Sequence, residues 1–586
     1  MQKPMATRRN WRTAQARALD RVHARLAARA RPARGFVSQP EPRTIGFFAK
    51  GRQLMAGNLM FAGHLVEAKG VLPWDLDPPD AAFSEELQGF AWLDDLAAVG
   101  DPRARKLAQD WVWGWIDRYG RGTGIGWAPG LTGRRVIRWI HHALFLLRGR
   151  PAEEAEAFYR ALAAQARFLA RRGQGAEPGL PRFEAMTGLL YAGLSLEGTE
   201  EHVGPALAAL SAECRRQIDA QGGIPTRNPE DLLEVFTLLT WVQSALAEAH
   251  RETDSAITEA IGRIAPTLRT LRHADGGLAR FHGGGRGLEG RLDQALAASG
   301  SKRRQADGLA MGFARLSAGR TSVIVDAAPP PAGPASAQAH ASTLAFELTS
   351  GRRPVVVSCG SGEGFGAEWR RAGRATPSHS VLCLQGYSSA RLSPERWVGS
   401  ARGELLEDAP RHVPIQMTRL ADSLRFEGGH DGYLGGQGLT HARSLILEHD
   451  GRTLRGEDYL VALDASARKR FDRAMDGVRL AGLPFEIRFH LHPEADVTLD
   501  MGGLAASIAL RSGEIWVFRY EGKVEMALQP SVYLEKGRLR PRATKQVVLS
   551  GRAMQYATRV CWTLAKAQDT ALAVRDLARD EADGSV

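Results

Sequence analysis

Two histidines and a run of arginines in the middle of the chain are the residues best suited to chemistry. His340 follows a proline-rich loop, and His379 follows Arg370, Arg371 and Arg374. An imidazole can accept or donate a proton near neutral pH, and a guanidinium binds a carboxylate through two parallel hydrogen bonds. The pattern predicts proton transfer on an acidic substrate. A hydrogen-bonded structural histidine and a solvated charged loop fit the same residues almost equally well.

Further candidates lie on either side of this segment. Arg227 stands before a helix start, where no structural role requires its charge, and Trp369 precedes the arginines. Asn228 is followed by Pro229 and two acids, an arrangement that favours a helix N-cap over contact with a substrate. Tyr433 lies in a segment rich in glycine and histidine. We assign His340, His379 and Tyr433 to catalysis, with Tyr433 as the reserve proton donor.

Substrate binding falls to the remaining candidates. We assign it to Arg227, Asn228, Trp369, Arg371 and Arg374, and we predict no metal ligand. Trp113 and Trp127 are further candidates for stacking on a sugar ring, whereas Trp111 shares a helical face with Leu107 and is predicted to lie in the core.

The elements that position these residues change type once along the chain. From about residue 45 to 305 apolar residues recur at helical spacing, as in Val136, Ile140 and Leu147. After residue 305 the period becomes two, as in Phe485 and Ile487. The first part is predicted to form paired helices in an α/α array. The second is predicted to form a sandwich of short strands.

Length and charge limit the function classes. A chain of 586 residues is too long to fold around one hydrophobic core, so two domains are expected. The net charge of +12 favours polyanionic partners such as acidic polysaccharide, nucleic acid or anionic lipid. The first 34 residues contain nine arginines and a single acidic residue, Asp20, which predicts a basic and partly helical arm. Because such tails are usually solvated, we expect no nucleic-acid partner.

The four cysteines are far apart and form no CxxC pair, which argues against a zinc ribbon or a disulfide framework. No signal peptide is visible, and no run of about 18 apolar residues suggests a membrane span. A cytoplasmic location is the default expectation, with the periplasm or cell envelope as the alternative. Oligomeric state is left open.

Several segments of the second half carry a family resemblance. Residues 339–386 place a histidine loop before an LAFEL strand, then a glycine turn, then an arginine-rich loop that ends in SHS. Residues 428–447, 454–460, 485–493 and 532–551 continue the pattern, and residues 219–239 and 271–284 match more weakly. The chain resembles the heparinase II/III-like polysaccharide lyases.

The resemblance implies an N-terminal α/α toroid, which is an incomplete barrel, followed by a C-terminal antiparallel β-sandwich. The expected divisions are a basic arm over 1–44, the toroid over 45–305, the sandwich over 306–565 and a tail over 566–586. It also implies β-elimination on a uronate-containing polysaccharide such as a glycosaminoglycan. In that reaction a base removes a proton, donors neutralise the uronate carboxylate, and an acid protonates the leaving oxygen.

The chain departs from the family pattern at the residues that carry this reaction. The segment GLPRF, residues 179–183, lacks the family's asparagine, and Arg182 is a substitute. The segment RNPEDL, residues 227–232, lacks the family's tyrosine. His340 and His379 match two ligands of a structural zinc site found in relatives, but the aspartate position reads Ser358. Zinc is therefore not predicted, since structural zinc needs four ligands.

Three functions compete on these grounds. The first is a lyase acting on an acidic polysaccharide, and the second is a noncatalytic protein that binds acidic glycan after losing the lyase residues. The third, ranked lowest, is a nucleic-acid or membrane partner bound through the arginine-rich arm.

Overall fold

A computed structural model describes residues 5–29, 31–303, 308–398 and 401–567, with only the backbone of residues 5–14 and 401. The C-terminal tail was predicted over residues 566–586, and its part beyond residue 567 lies outside the described residues. The helices of the described N-terminal half are α1 (Met5–Ala27), α2 (Phe48–Met55), α3 (Ala81–Gln88), α4 (Trp92–Val99), α5 (Pro102–Tyr119), α6 (Pro129–His141), α7 (Ala143–Leu147), α8 (Ala152–Arg172), α9 (Leu180–Ser195), α10 (Val203–Gln217), α11 (Pro229–Glu248), α12 (Ser255–Leu271) and α13 (Arg291–Ser299).

Strands dominate the second half. A hairpin of β1 (Asn58–Phe61) and β2 (His64–Glu67) lies within the helical region. The later strands are β3 (Phe313–Ala318), β4 (Thr321–Asp326), β5 (Phe346–Ser350), β6 (Arg353–Val357), β7 (Leu382–Leu384), β8 (Arg391–Leu392), β9 (Arg396–Val398), β10 (Ala401–Gly403), β11 (Leu406–Glu407), β12 (Ile415–Arg419), β13 (Ser423–Tyr433), β14 (Leu439–Glu448), β15 (Thr453–Val461), β16 (Leu483–Leu491), β17 (Asp496–Asp500), β18 (Ala505–Ala509), β19 (Ile515–Glu521), β20 (Val524–Tyr533), β21 (Arg542–Ala553) and β22 (Ala557–Lys566). Helices α14 (Ala367–Arg374), α15 (Leu434–Gln437) and α16 (Ala465–Gly477) interrupt them.

Two large antiparallel sheets form the sandwich. One runs in the order β12-β13-β14-β15-β22-β19-β18-β17, and the other in the order β20-β21-β16-β6-β5-β4-β3, with β7 also paired to β16. Along β14 every second residue is buried, as the period-two pattern requires. Phe346 of one sheet stacks on Trp562 of the other at 5.7 Å between ring centroids. The core of this half lies between the sheets, and the predicted fold class of toroid followed by sandwich is confirmed.

Aromatic packing fills the first part of the toroid. Trp115 and Trp139 are fully buried, and the guanidinium of Arg135 lies 4.1 Å from the Trp115 ring centroid. Trp127 is also buried, and Trp113 stacks on a core phenylalanine and donates to the backbone oxygen of residue 154. The prediction that Trp113 and Trp127 offer free sugar-stacking faces is therefore wrong, because helix packing uses both rings.

The β1–β2 hairpin reaches from the toroid to the sandwich. The backbone N–H of Ala62 at its tip donates to Glu86 on α3. Gly63 has a positive φ of 81° and lies so close to the sandwich that a Cβ there would come 1.9 Å from the carbonyl oxygen of Gly364. Only glycine permits this approach, so the hairpin contacts both domains at their junction.

Candidate functional site

The two predicted catalytic histidines meet at the junction of the domains. His340 lies in the loop before β5, and His379 lies just before β7. Their ring centroids are 5.0 Å apart, and both side chains are fully buried. The two rings are therefore neighbours, but they lie inside the protein rather than on an open surface.

Hydrogen bonds and burial keep both imidazoles neutral. The backbone N–H of Gly283 donates to Nε2 of His340 at 3.0 Å, so the proton of this ring lies on Nδ1. Nδ1 of His379 lies 3.1 Å from the hydroxyl of Ser358. Burial lowers the pKa of His379 to about 3, and it lowers the pKa of His340 well below its usual value. A base this weak removes few protons at neutral pH.

A third histidine joins the two domains here. The backbone N–H of His340 donates to Nδ1 of His282 at 3.2 Å, while the residue after His282 donates to the His340 ring. Nε2 of His282 lies 3.3 Å from Asp326. These reciprocal bonds fix the 281–284 segment to the loop that carries His340. The sequence pattern assigned no role to His282 or Asp326, although an aspartate ending the apolar run VIVD was a signal.

The guanidinium of Arg227 makes all its contacts within the protein. Its guanidinium donates to Asp326 at 2.6 Å and to the backbone oxygens of Met311, Gly312, Ala328 and Pro329. Burial alone would raise the pKa of Asp326, but Arg227 and His282 hold it below its usual value. The assignment of Arg227 to substrate binding is wrong, because the buried carboxylate of Asp326 requires a charged partner. Asn228 caps α11 by accepting from the backbone N–H groups of residues 230 and 231, which confirms the favoured N-cap.

The arginine helix α14 divides into buried and exposed parts. Arg374 is buried and donates to the backbone oxygens of Ser336, Ala339 and Glu404, so its predicted contact with substrate is wrong. Arg371 keeps 62% of its side chain exposed and pairs with the Glu404 carboxylate at 3.1 Å. Trp369 is half-buried. Binding by Arg371 and Trp369 stays a prediction.

Tyr433 does not replace the missing proton donor. Its side chain is buried, and its hydroxyl donates to the backbone oxygen of Leu382 at 3.3 Å. Burial, followed by the neighbouring Cys383, raises the pKa of Tyr433 well above its usual value. Arg182, the proposed stand-in for the family's asparagine, is paired with buried Glu213 at 3.0 Å. Both expectations fail because core partners occupy the polar groups.

The residues present do not fit the zinc site of the relatives. Ser358 supplies a hydroxyl where a carboxylate would be needed, and that hydroxyl contacts His379. Among the described residues, no three His, Cys, Asp or Glu side chains are grouped to hold a metal ion. Two imidazoles alone are too few for structural zinc.

Carboxylates gather where the family's tyrosine would lie. Glu230, Asp231 and Glu234 project from the start of α11, and Glu363 belongs to the sandwich; we call these four the junction carboxylates. Lys536 of the sandwich donates to Glu230 at 2.6 Å. Burial raises the pKa of Asp231 to about 7; Lys536 opposes the shift, and the other three carboxylates add to it. Arg291 pairs with Glu234 at 2.7 Å, so four carboxylates share two cations here and leave an excess of acidic groups.

Comparison with known proteins is consistent with this architecture. The heparinase II/III-like C-terminal domain matches residues 300–563. FtsZ-localized protein C of Caulobacter vibrioides is 31% identical over 552 residues, covering 91% of each chain. No described helix combines the length and apolar character needed to cross a membrane.

Two solved structures share the fold at low identity. A crystal structure of heparinase III has a TM-score of 0.69 at 13% identity, covering 94% of this chain and 89% of that one. A mutant of the heparan sulfate lyase HepC from Pedobacter heparinus has a TM-score of 0.54 at 13% identity, covering 94% and 88%. By its sequence relative, its C-terminal domain and its toroid-and-sandwich fold, the chain belongs to the heparinase II/III-like family.

Proposed function

We propose that this chain is a noncatalytic member of a polysaccharide lyase family and that it localises with FtsZ. The observation that carries the noncatalytic part is the set of junction carboxylates. A uronate carboxylate placed between toroid and sandwich would face four carboxylates offset by two cations, Lys536 and Arg291, and like charges brought together at an interface cost several kcal/mol. The elimination reaction requires donors in that place.

The state of the histidines supports the same proposal. His340 and His379 have no exposed surface, and the lowered pKa of each makes it a weak base. The guanidinium groups of Arg227 and Arg374 donate their hydrogen bonds to oxygen atoms of the protein itself. The guanidinium groups that could neutralise an enolate are therefore engaged within the protein, and the imidazoles that could abstract a proton are buried.

The localisation part rests on the name of the relative, FtsZ-localized protein C, which matches along nearly the whole chain. We extend localisation with FtsZ to this chain, together with a cytoplasmic location. The free thiols of all four cysteines agree with a reducing compartment.

A lyase acting on an acidic polysaccharide is the second candidate. The 5.0 Å approach of His340 and His379 favours it, because two neighbouring imidazoles could both exchange protons with one substrate. Opening of the junction would be needed before either ring met a substrate.

One assay separates the two candidates. The chain is incubated with a panel of uronate polysaccharides while the ultraviolet absorbance of unsaturated products is followed. The noncatalytic proposal expects no increase with any of them. An increase that His340→Ala abolishes, and that replacement of the exposed His449 by alanine leaves intact, would establish the lyase and overturn the proposal.

Localisation needs its own experiment. A fluorescent fusion of the full chain is imaged together with labelled FtsZ in dividing cells of a bacterium that carries this gene, with the free fluorescent protein as control. Signal that coincides with FtsZ is expected. A fusion spread evenly through the cell would contradict localisation with FtsZ without bearing on catalysis.

A further inference from the structure

An apolar groove of about 620 Å³ lies between α16 and the turn that joins β21 to β22. Phe471 and Met475 form its buried floor. Leu480, Met554 and Tyr556 line it while exposing 62%, 53% and 41% of their surfaces to solvent. Large apolar side chains grouped this way on a surface mark sites of protein interaction.

The backbone holds this surface in an unfavourable conformation. Arg479 and Leu480 are consecutive non-glycine residues with φ angles of 52° and 59°. Side chains rarely adopt this left-handed region, and such strain persists where the surrounding structure enforces it. Leu480 is thus kept at the edge of the groove.

The charge of the groove defines what complements it. Its charged lining residues are Asp472 and Asp476, and the hydroxyl of Tyr556 donates to Asp472 at 3.0 Å. Arg468 lies 5.3 Å from the Tyr556 ring centroid. A partner that fits must offer apolar side chains together with basic ones.

Helix α1 presents such a surface. Ala24 and Ala27 are buried against the toroid, and Asp20 pairs with Arg172 at 2.6 Å. Leu19, Val22 and Leu26 lie on the outward side, each about half exposed. Their spacing of three and four residues forms one stripe along the helix.

Arginines flank this stripe. Arg21 and Arg25 are exposed beside Leu19, Val22 and Leu26. The outward side of α1 therefore combines the apolar and basic character that the groove lacks. An apolar stripe of this kind on a surface helix needs a partner to bury it.

We propose that α1 of one copy of this chain docks into the α16 groove of a second copy. The apolar stripe covers Phe471, Leu480 and Met554, while the flanking arginines face Asp472 and Asp476. The two surfaces belong to different parts of the molecule, so the contact is head-to-tail and joins copies into open chains or rings. This inference stands apart from the proposed function.

Sedimentation velocity of the full chain over a range of concentrations tests the proposal. Wild type is expected to associate as concentration rises. Val22→Glu on α1 and Met554→Glu in the groove should each weaken association about tenfold or more, as loss of a central interface residue does. Leu504→Glu, at an exposed apolar position outside both surfaces, is the control and should leave association unchanged.

Mixing the two variants makes the test specific. The Val22→Glu chain keeps an intact groove, and the Met554→Glu chain keeps an intact α1, so the mixture should form one-to-one pairs that neither forms alone. A wild type that stays monomeric, or association insensitive to Met554→Glu, would overturn the proposal. So would binding of α1 to anionic phospholipid vesicles through the same stripe without any self-association.

Discussion

Replacing His379 by asparagine should change how many protons the protein absorbs when it unfolds. Burial holds the pKa of His379 at about 3 in the folded chain, against about 6.5 when unfolded. At pH 5 the unfolded imidazole is almost fully protonated and the folded one is almost fully neutral. Unfolding therefore takes up about one proton at this residue.

The sign of the effect on stability follows. Because the folded pKa is lowered, the contribution of His379 is fully present above pH 6.5 and is lost as pH falls from 6.5 toward 3. Between pH 8 and pH 5 this loss is about 2 kcal/mol for one histidine. His379→Asn, which retains a polar atom near Ser358, should remove that part of the acid sensitivity.

Proton uptake is measured by unfolding the protein in guanidinium at pH 5 in a weakly buffered solution. Wild type should absorb about one proton more than His379→Asn. The matched control is His449→Asn at a solvent-exposed position, which should give the wild-type value. Equal uptake by wild type and His379→Asn would refute the claim that this ring is held neutral by burial.

Three other changes test separate parts of the junction. Asp326→Asn leaves its buried arginine partner without a counter-charge and should lower the free energy of unfolding by about 3–5 kcal/mol in guanidinium titrations; a loss below about 1 kcal/mol would contradict the buried pair. Asp231→Asn should raise the unfolding midpoint at pH 8, and the gain should vanish near pH 4. The reason is that a carboxyl whose pKa is raised by folding destabilises the folded protein once the pH exceeds the pKa of that carboxyl in the unfolded chain. Gly63→Ala should destabilise the chain by at least about 1 kcal/mol more than Gly70→Ala, since both positions have positive φ but only Gly63 meets the opposing domain.

Local patterns in the sequence predicted local structure well. The switch of apolar spacing from helical to alternating identified both domain types, and the Asn-Pro-Glu-Asp order at 228–231 identified the cap of α11. His340 and His379 lie next to each other, and the family pattern had matched both of them to one zinc site. Each of these depends on neighbours in sequence or on shared family positions.

Long-range partners could not be read from the sequence. Arg227 and Asp326 are 99 residues apart, and no spacing rule connects them. The same limit applies to Arg374, whose acceptors are backbone oxygens of distant loops. Burial decides whether a polar side chain faces a ligand or the protein, and burial of a loop residue depends on tertiary packing that periodicity does not encode.

The close approach of Gly63 to Gly364 joins the toroid to the sandwich through backbone alone. Side chains elsewhere in the hairpin can therefore vary without loosening this contact. Any side chain larger than hydrogen at position 63 would collide with the Gly364 carbonyl and force the hairpin away from the sandwich.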